Sequence, residues 1–377
     1  MSDVAPSALR PTPSPIAQFH LAAGAKMADF GGWSMPIEYP GADGGVMAEH
    51  RAVRERVGIF DVSHLGKIAI KGAGALEFLN RVLTNDLAIL DDGDAQYTLI
   101  CNDEGGVVDD LIAYRFTKEH IFLIPNAANC ERLYRILVAE APDGIHVTNL
   151  HKDLAVFAIQ GPRSKDLLAS ISLEVPAALK YMSFITARFK EREVIICRTG
   201  YTGEQGFEVV SPVEGEVAME LWNQLVQALP SCGGTVAGLG ARDTLRTEMG
   251  YALHGHELSS EINPFEAGVG WAVAENKAFF IGREALLRKK SEGIKRRSRA
   301  LRSLDRSIPR PGMIVKEGET EIGVVTSGTF SPNLKAGIAL ALIDSRVKIG
   351  ETLTIDVRGR EGRYEVVKAP FVPSHVR

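Results

Sequence analysis

Two adjacent carboxylates, Asp109 and Asp110, sit between a glycine turn, Gly105-Gly106, and the apolar pair Leu111-Ile112. Paired glycines permit the sharp bend of a hairpin. Val107 and Val108 then start an extended segment that continues through Ile112, Tyr114 and Phe116. Neighbours in a strand point to opposite faces, so the two aspartates cannot both serve one site. One of them must turn toward the protein or a cleft, where a carboxylate needs a partner or a task. The alternative is a turn bearing two solvated acids. The pattern alone does not say which aspartate faces inward.

Two further polar clusters carry chemistry. In Gly200-Tyr201-Thr202-Gly203-Glu204-Gln205-Gly206-Phe207-Glu208, three glycines force turns around Tyr201, and Glu204 and Glu208 flank the return into a strand. In Gly238-Leu239-Gly240-Ala241-Arg242-Asp243, glycines open a helix with Arg242 in its first turn and Asp243 near its positive end. A carboxylate, an acid–tyrosine loop and an arginine are the parts of a site for a polar heterocycle. For Glu208 and Arg242 the plainer alternative is a mutual salt bridge. Gly72-Ala73-Gly74 imitates a dinucleotide fingerprint, but Glu77 stands at the third glycine position and would oppose a pyrophosphate. A nicotinamide cofactor is therefore not expected. Cys101, Cys130, Cys197 and Cys232 form no Cys-x-x-Cys pair. His254 and His256 lack a third ligand nearby, so no metal is expected.

The elements that must position these groups are mixed. Strands are predicted over 67–71, 96–101, 110–116, 120–124, 156–160, 194–198 and 207–210, and helices over 75–83, 131–139, 164–170 and 215–229. They do not alternate strictly, which favours antiparallel α+β over a doubly wound sheet. From Gly293 onward, short strands separated by turns predict a small all-β barrel. The expected organisation is a disordered tail over 1–15, a two-part domain over 16–290 and a β-barrel domain over 291–377. The 377 residues carry a net charge of −4, which argues against nucleic-acid binding. No apolar run is long enough to span a bilayer, so no membrane association is expected. Met1 to Pro15 lacks an apolar secretory core, and the protein is read as cytoplasmic.

With these clusters in hand, the chain from Phe19 to Pro373 resembles the glycine-cleavage T-protein family of aminomethyltransferases. The stretches that carry the resemblance are Asp29-Phe30-Gly31-Gly32-Trp33-Ser34-Met35-Pro36, Gly58-Ile59-Phe60-Asp61-Val62-Ser63-His64, the three polar clusters, and Thr326-Ser327-Gly328-Thr329-Phe330-Ser331-Pro332. The resemblance implies a three-part, cloverleaf-like arrangement around a folate site. It implies transfer of the aminomethyl carbon from the lipoyl arm of H-protein to tetrahydrofolate, giving 5,10-methylenetetrahydrofolate, ammonia and the reduced arm. It makes Asp109 the essential carboxylate, Glu208 the pterin-binding acid and Arg242 a folate contact, with Tyr97 and Tyr201 as aromatics near the ligand. Whether Arg242 meets pterin or glutamyl oxygens stays open.

The chain departs from the family pattern in two places. Leu65 stands where relatives often carry methionine, and Pro370–Val376 lacks the tyrosine that some relatives place near the folate tail. His64 is read as structural. A folate-dependent demethylase of a small methylated amine or sulfonium compound is the main rival. A non-catalytic iron–sulfur relative is disfavoured, because Phe280-Ile281-Gly282-Arg283 holds no cysteine where that branch needs one. The basic residues Arg288, Lys289, Lys290, Lys295, Arg296 and Arg297 are candidates for steering an acidic carrier.

Overall fold

The computed structural model describes residues 10–41, 44–357 and 359–377. Alternating apolar residues build a five-stranded antiparallel sheet in the order Ala95–Cys101, Val107–Thr117, His120–Pro125, Ile68–Lys71, His146–Asn149. The helices Ala75–Val82 and Cys130–Glu140 cover one face, burying Phe78, Leu79, Leu133 and Leu137 against Ile68, Leu111 and Leu123. These side chains repeat at helical and strand spacing respectively, so each element hides a single face.

A second sheet runs Phe184–Phe189, Arg192–Cys197, Gly206–Pro212, Leu154–Gln160, Gly58–Asp61, Thr235–Val236. Its helices Ser164–Ser170 and Val217–Ala228 pack Leu167, Leu221 and Trp222 onto Phe157 and Val209. The C-terminal part is a closed barrel, in the order Arg296–Ser303, Ala336–Asp344, Thr320–Ser331, Ile314–Glu317, Thr352–Asp356, Glu361–Val367. Its interior holds Leu301, Val325, Ile343 and Tyr364. Closure leaves no unpaired edge. The architecture is thus α+β with a β-barrel at the C-terminal end. Among the described residues, no helix is long and apolar enough to cross a membrane.

Part of the expected tail is structured. Residues 1–9 lie outside the described residues, but Thr12–Pro13 pairs in parallel with Trp33–Ser34. The Ser14 hydroxyl donates to Asp61. Asp61 also meets His20 Nε2 at 2.8 Å, and the other ring nitrogen of His20 lies 2.8 Å from the Tyr39 hydroxyl. Burial by itself would raise the Asp61 pKa, yet the bonds from His20, Ser14 and Ser63 hold it below the ordinary value. A proline- and serine-rich composition gave no sign of this buried polar anchor.

The basic segment is partly helical and partly paired. Arg288, Lys289 and Lys290 fall in the helix Arg283–Glu292, which the sequence pattern did not reveal because its apolar face is narrow. Lys290 pairs with Glu275 at 2.5 Å and Arg296 with Glu266 at 2.7 Å.

Candidate active site

The strand Val107–Thr117 pairs Asp109 with Ile100 and Asp110 with Leu99. The two aspartates point apart, as strand geometry requires, and the structure corrects which of them is available. Asp110 lines a cavity of about 1000 Å3, whereas Asp109 is fully buried beneath the strand and does not line it. On the cavity face Tyr97, diagonal to Asp110 across the pairing, donates from its hydroxyl to Asp110 Oδ2 at 3.0 Å. Burial, followed by the charge of Asp110, raises the Tyr97 phenol well above its ordinary value, so it remains a donor.

Asn126 and Asn129 lie in the connection between the strand His120–Pro125 and the helix Cys130–Glu140. Asn126 Nδ2 lies 2.8 Å from both Asp109 Oδ1 and Asp110 Oδ1, and its backbone N–H donates to Asp109 Oδ2 at 3.1 Å. Asn129 Nδ2 adds a bond to Asp109 Oδ1 at 2.7 Å. Sequence reading missed both amides, since a Pro-Asn turn before a helix carries no periodic signal. Burial pushes both aspartates above the ordinary carboxylate value.

Glu208 enters the same cavity from the strand Gly206–Pro212, where it is nearly buried opposite Cys197 and Ala158. The Thr199 hydroxyl donates to its Oε2. Arg242 projects from the first turn of Leu239–Met249, its guanidinium carbon 4.5 Å from the centroid of the Tyr201 ring. Among the described residues no ion pair joins Arg242 to Glu208, so the salt-bridge alternative does not describe this structure. Tyr201 donates to the Ala252 carbonyl and stacks on Tyr251, centroids 5.7 Å apart. The cavity therefore gathers Tyr97, Tyr201, Glu208 and Arg242, and it is Asp110 rather than Asp109 that lines it.

Two features that hold the site were not legible beforehand. Arg246, one turn after Arg242, is buried; it bonds Asp243, Glu257 at 3.2 Å and, across to the barrel, Ser327 Oγ at 2.8 Å. Trp271, 68% exposed, lays its ring on Tyr97 at 5.2 Å on the cavity wall. His64 is buried with neither ring nitrogen bonded, and burial together with Arg242 lowers its pKa to about 3, so it stays neutral. It does not line the cavity. Chemically, the cavity offers an acid at each of two sheets, the arginines Arg198, Arg242 and Arg377, and several aromatic faces. That set suits a flat heterocycle with adjacent N–H donors and a reacting carbon that develops positive charge.

Known proteins resemble this chain over nearly its full length. Residues 16–277 match the family model described as the GCVT N-terminal domain, and residues 296–373 match the glycine cleavage T-protein C-terminal barrel domain. The aminomethyltransferase of Parafrankia sp. (strain EAN1pec) is 53% identical over 97% of this chain and 98% of its own length. That of Mycobacterium avium (strain 104) is 51% identical over 96% and 97%. The crystal structure of glycine cleavage system aminomethyltransferase T from Bartonella henselae superposes with a TM-score of 0.89 at 33% identity, covering 97% of this chain and 99% of that one. The chain belongs to the glycine cleavage T-protein family of aminomethyltransferases.

Proposed function

We propose that this enzyme transfers the aminomethyl carbon from the lipoyl arm of H-protein to tetrahydrofolate. The observation that carries the reading is the convergence of Asp110, Glu208 and Arg242 on one cavity. In the reaction, the C–S bond to the arm and the C–N bond to the amine break, and two C–N bonds to N5 and N10 of the folate form. The N5 and N10 protons leave on the arm's sulfur and on ammonia, so the products are 5,10-methylenetetrahydrofolate, ammonia and the dihydrolipoyl arm.

Glu208 accepts adjacent pterin N–H groups and sets the ring's orientation. Arg242, stacked on Tyr201, supplies a forked donor to folate oxygens. Asp110 faces the carbon while it is iminium-like and offsets its charge where water is excluded; the same carboxylate orients N5 or relays a proton from N10. Trp271 stands where the arm enters. Among the described residues it is the large exposed apolar side chain that also lines the cavity, so the carrier is proposed to press on it.

The test is formation of methylenetetrahydrofolate from aminomethylated H-protein, run beside dimethylglycine as donor. Product from the carrier alone is expected. Product from dimethylglycine alone would transfer the assignment to the demethylase reading.

A further inference from the structure

Next to the carboxylate that faces the cavity lies a second one, Asp109, which among the described residues pairs with no cation. Asp109 is bonded by three neutral N–H groups, from Asn126 N, Asn126 Nδ2 and Asn129 Nδ2. One amide nitrogen, Asn126 Nδ2, bridges Asp109 Oδ1 and Asp110 Oδ1, which puts these oxygens within about 6 Å, where like charges disfavour each other's ionisation. Among the described residues, neither aspartate forms an ion pair with lysine, arginine or histidine. Two full negative charges in such a place are costly, and coupled carboxylates release their protons as a pair, in two separated steps.

We propose that Asp109 and Asp110 act as one unit bearing a single negative charge, with Asp109 holding the shared proton in the buried layer and Asp110 ionised toward the cavity. Exposure assigns the roles: Asp109 has none, while Asp110 opens on the cavity and receives the Tyr97 hydroxyl. Asp109 Oδ1 already accepts two amide N–H groups, and Oδ2 accepts only the Asn126 backbone at 3.1 Å, so Oδ2 is the oxygen with room for the proton.

The surrounding groups agree. Tyr97 on the neighbouring strand and Cys130 at the start of the helix are both kept protonated by burial, Cys130 at about 11. Lys67, near Cys130, is committed to the Ser63 carbonyl at 2.8 Å. Burial raises Asp110, while the Tyr97 hydroxyl and then His254 favour its charged form. Burial, and then the charge of Asp110, push Asp109 up to about 8. Asp109 is thus a positioning residue, which keeps the field at the reacting carbon at one charge and leaves Asp110 able to take up and return a proton.

This inference rests on the proposed reaction only for what the charge accomplishes; the shared proton itself is measurable without turnover. Infrared spectra of the folate-free, full-length enzyme should show, at neutral pH, the C=O band of an un-ionised carboxylic acid that is missing in Asp109→Asn. The band of Glu49, which burial also raises, is common to both and cancels. In Asp110→Asn the band should persist but titrate at least about one pH unit lower, because the like charge is gone.

In kcat/KM, Asp109→Asn should remain within about tenfold of wild type at neutral pH and lose the alkaline limb, whereas Asp110→Asn should fall roughly 10²–10³-fold. The proposal is overturned if wild type lacks the band at neutral pH, or if folded Asp109→Asn is as inactive as Asp110→Asn. Should Asp109→Asn fail to fold, the wild-type band and its shift in Asp110→Asn decide. A band present without any aminomethyl transfer would overturn the functional reading and leave the shared proton standing.

Discussion

Glu208 and Arg242 reach the cavity from different elements, and among the described residues no ion pair joins them. Glu208→Ala and Arg242→Ala should each weaken tetrahydrofolate binding by on the order of 2–4 kcal/mol in calorimetry, with little change in thermal unfolding. Equal affinity with altered stability would assign them to the scaffold instead. A second expectation concerns Lys67, fully buried with its ammonium on the Ser63 carbonyl, whose pKa burial lowers to about 7 from 10.5. Between those values the unfolded chain binds more protons than the folded one, so this group makes stability rise with pH there. Below about 7 it is charged in both states and its full cost is felt. Denaturant titrations of Lys67→Met should show that rise removed; an unchanged slope would mean the lysine is not desolvated. At this scale the sequence was informative about residue types and silent about direction. Asp109 and Asp110 alternate faces by geometry, but only the position of the cavity, set by distant segments, decides which is used.

The helix Leu239–Met249 carries the site and ties it to the barrel through Arg246, whose guanidinium spans Asp243, Glu257 and Ser327. Arg246→Met keeps the length but leaves Glu257 buried without its cation, a change expected to cost about 3–5 kcal/mol. Thermal unfolding should fall accordingly, and folate affinity with it as Arg242 loses its platform. A variant of wild-type stability would show that the barrel and helix hold each other by other contacts. Most strands were legible because they alternate or form compact apolar runs. The predicted 120–124 and 164–170 are observed as His120–Pro125 and Ser164–Ser170. The hairpin Lys26–Phe30 and Trp33–Glu38 was not read, since its burial alternates weakly and Pro36 argues against a strand. The barrel strands were visible individually, while their closure depends on pairing between Arg296–Ser303 and Glu361–Val367, ends far apart in sequence.

On the scale of the whole molecule, the cavity draws walls from both sheets, from the segment around Tyr251 and Trp271, and from Ser298 of the barrel. On the proposed reading, a carrier that delivers a tethered arm seats on the rim. Trp271→Ala should raise the KM for aminomethylated carrier at least tenfold, while folate binding changes less. An equal loss for both ligands would place Trp271 with the folate through its stacking on Tyr97. Neutralising Lys290 or Arg296 should chiefly loosen the contacts to Glu275 and Glu266, leaving Arg288, Lys289, Lys295 and Arg297 to carry any salt-dependent steering. If carrier kinetics ignore salt and all of these residues, the basic segment takes no part in docking.

The three tryptophans have very different surroundings. Trp33 is 5% exposed, Trp222 is fully enclosed and Trp271 is 68% exposed. The protein consequently contains its own optical reporter. Water-soluble quenchers should extinguish Trp271 emission selectively and leave the other two indoles almost untouched. A folate ring sliding beside Tyr97, or a carrier settling over the opening, should each shield that single fluorophore, so the order of the two arrivals becomes readable in real time without any label.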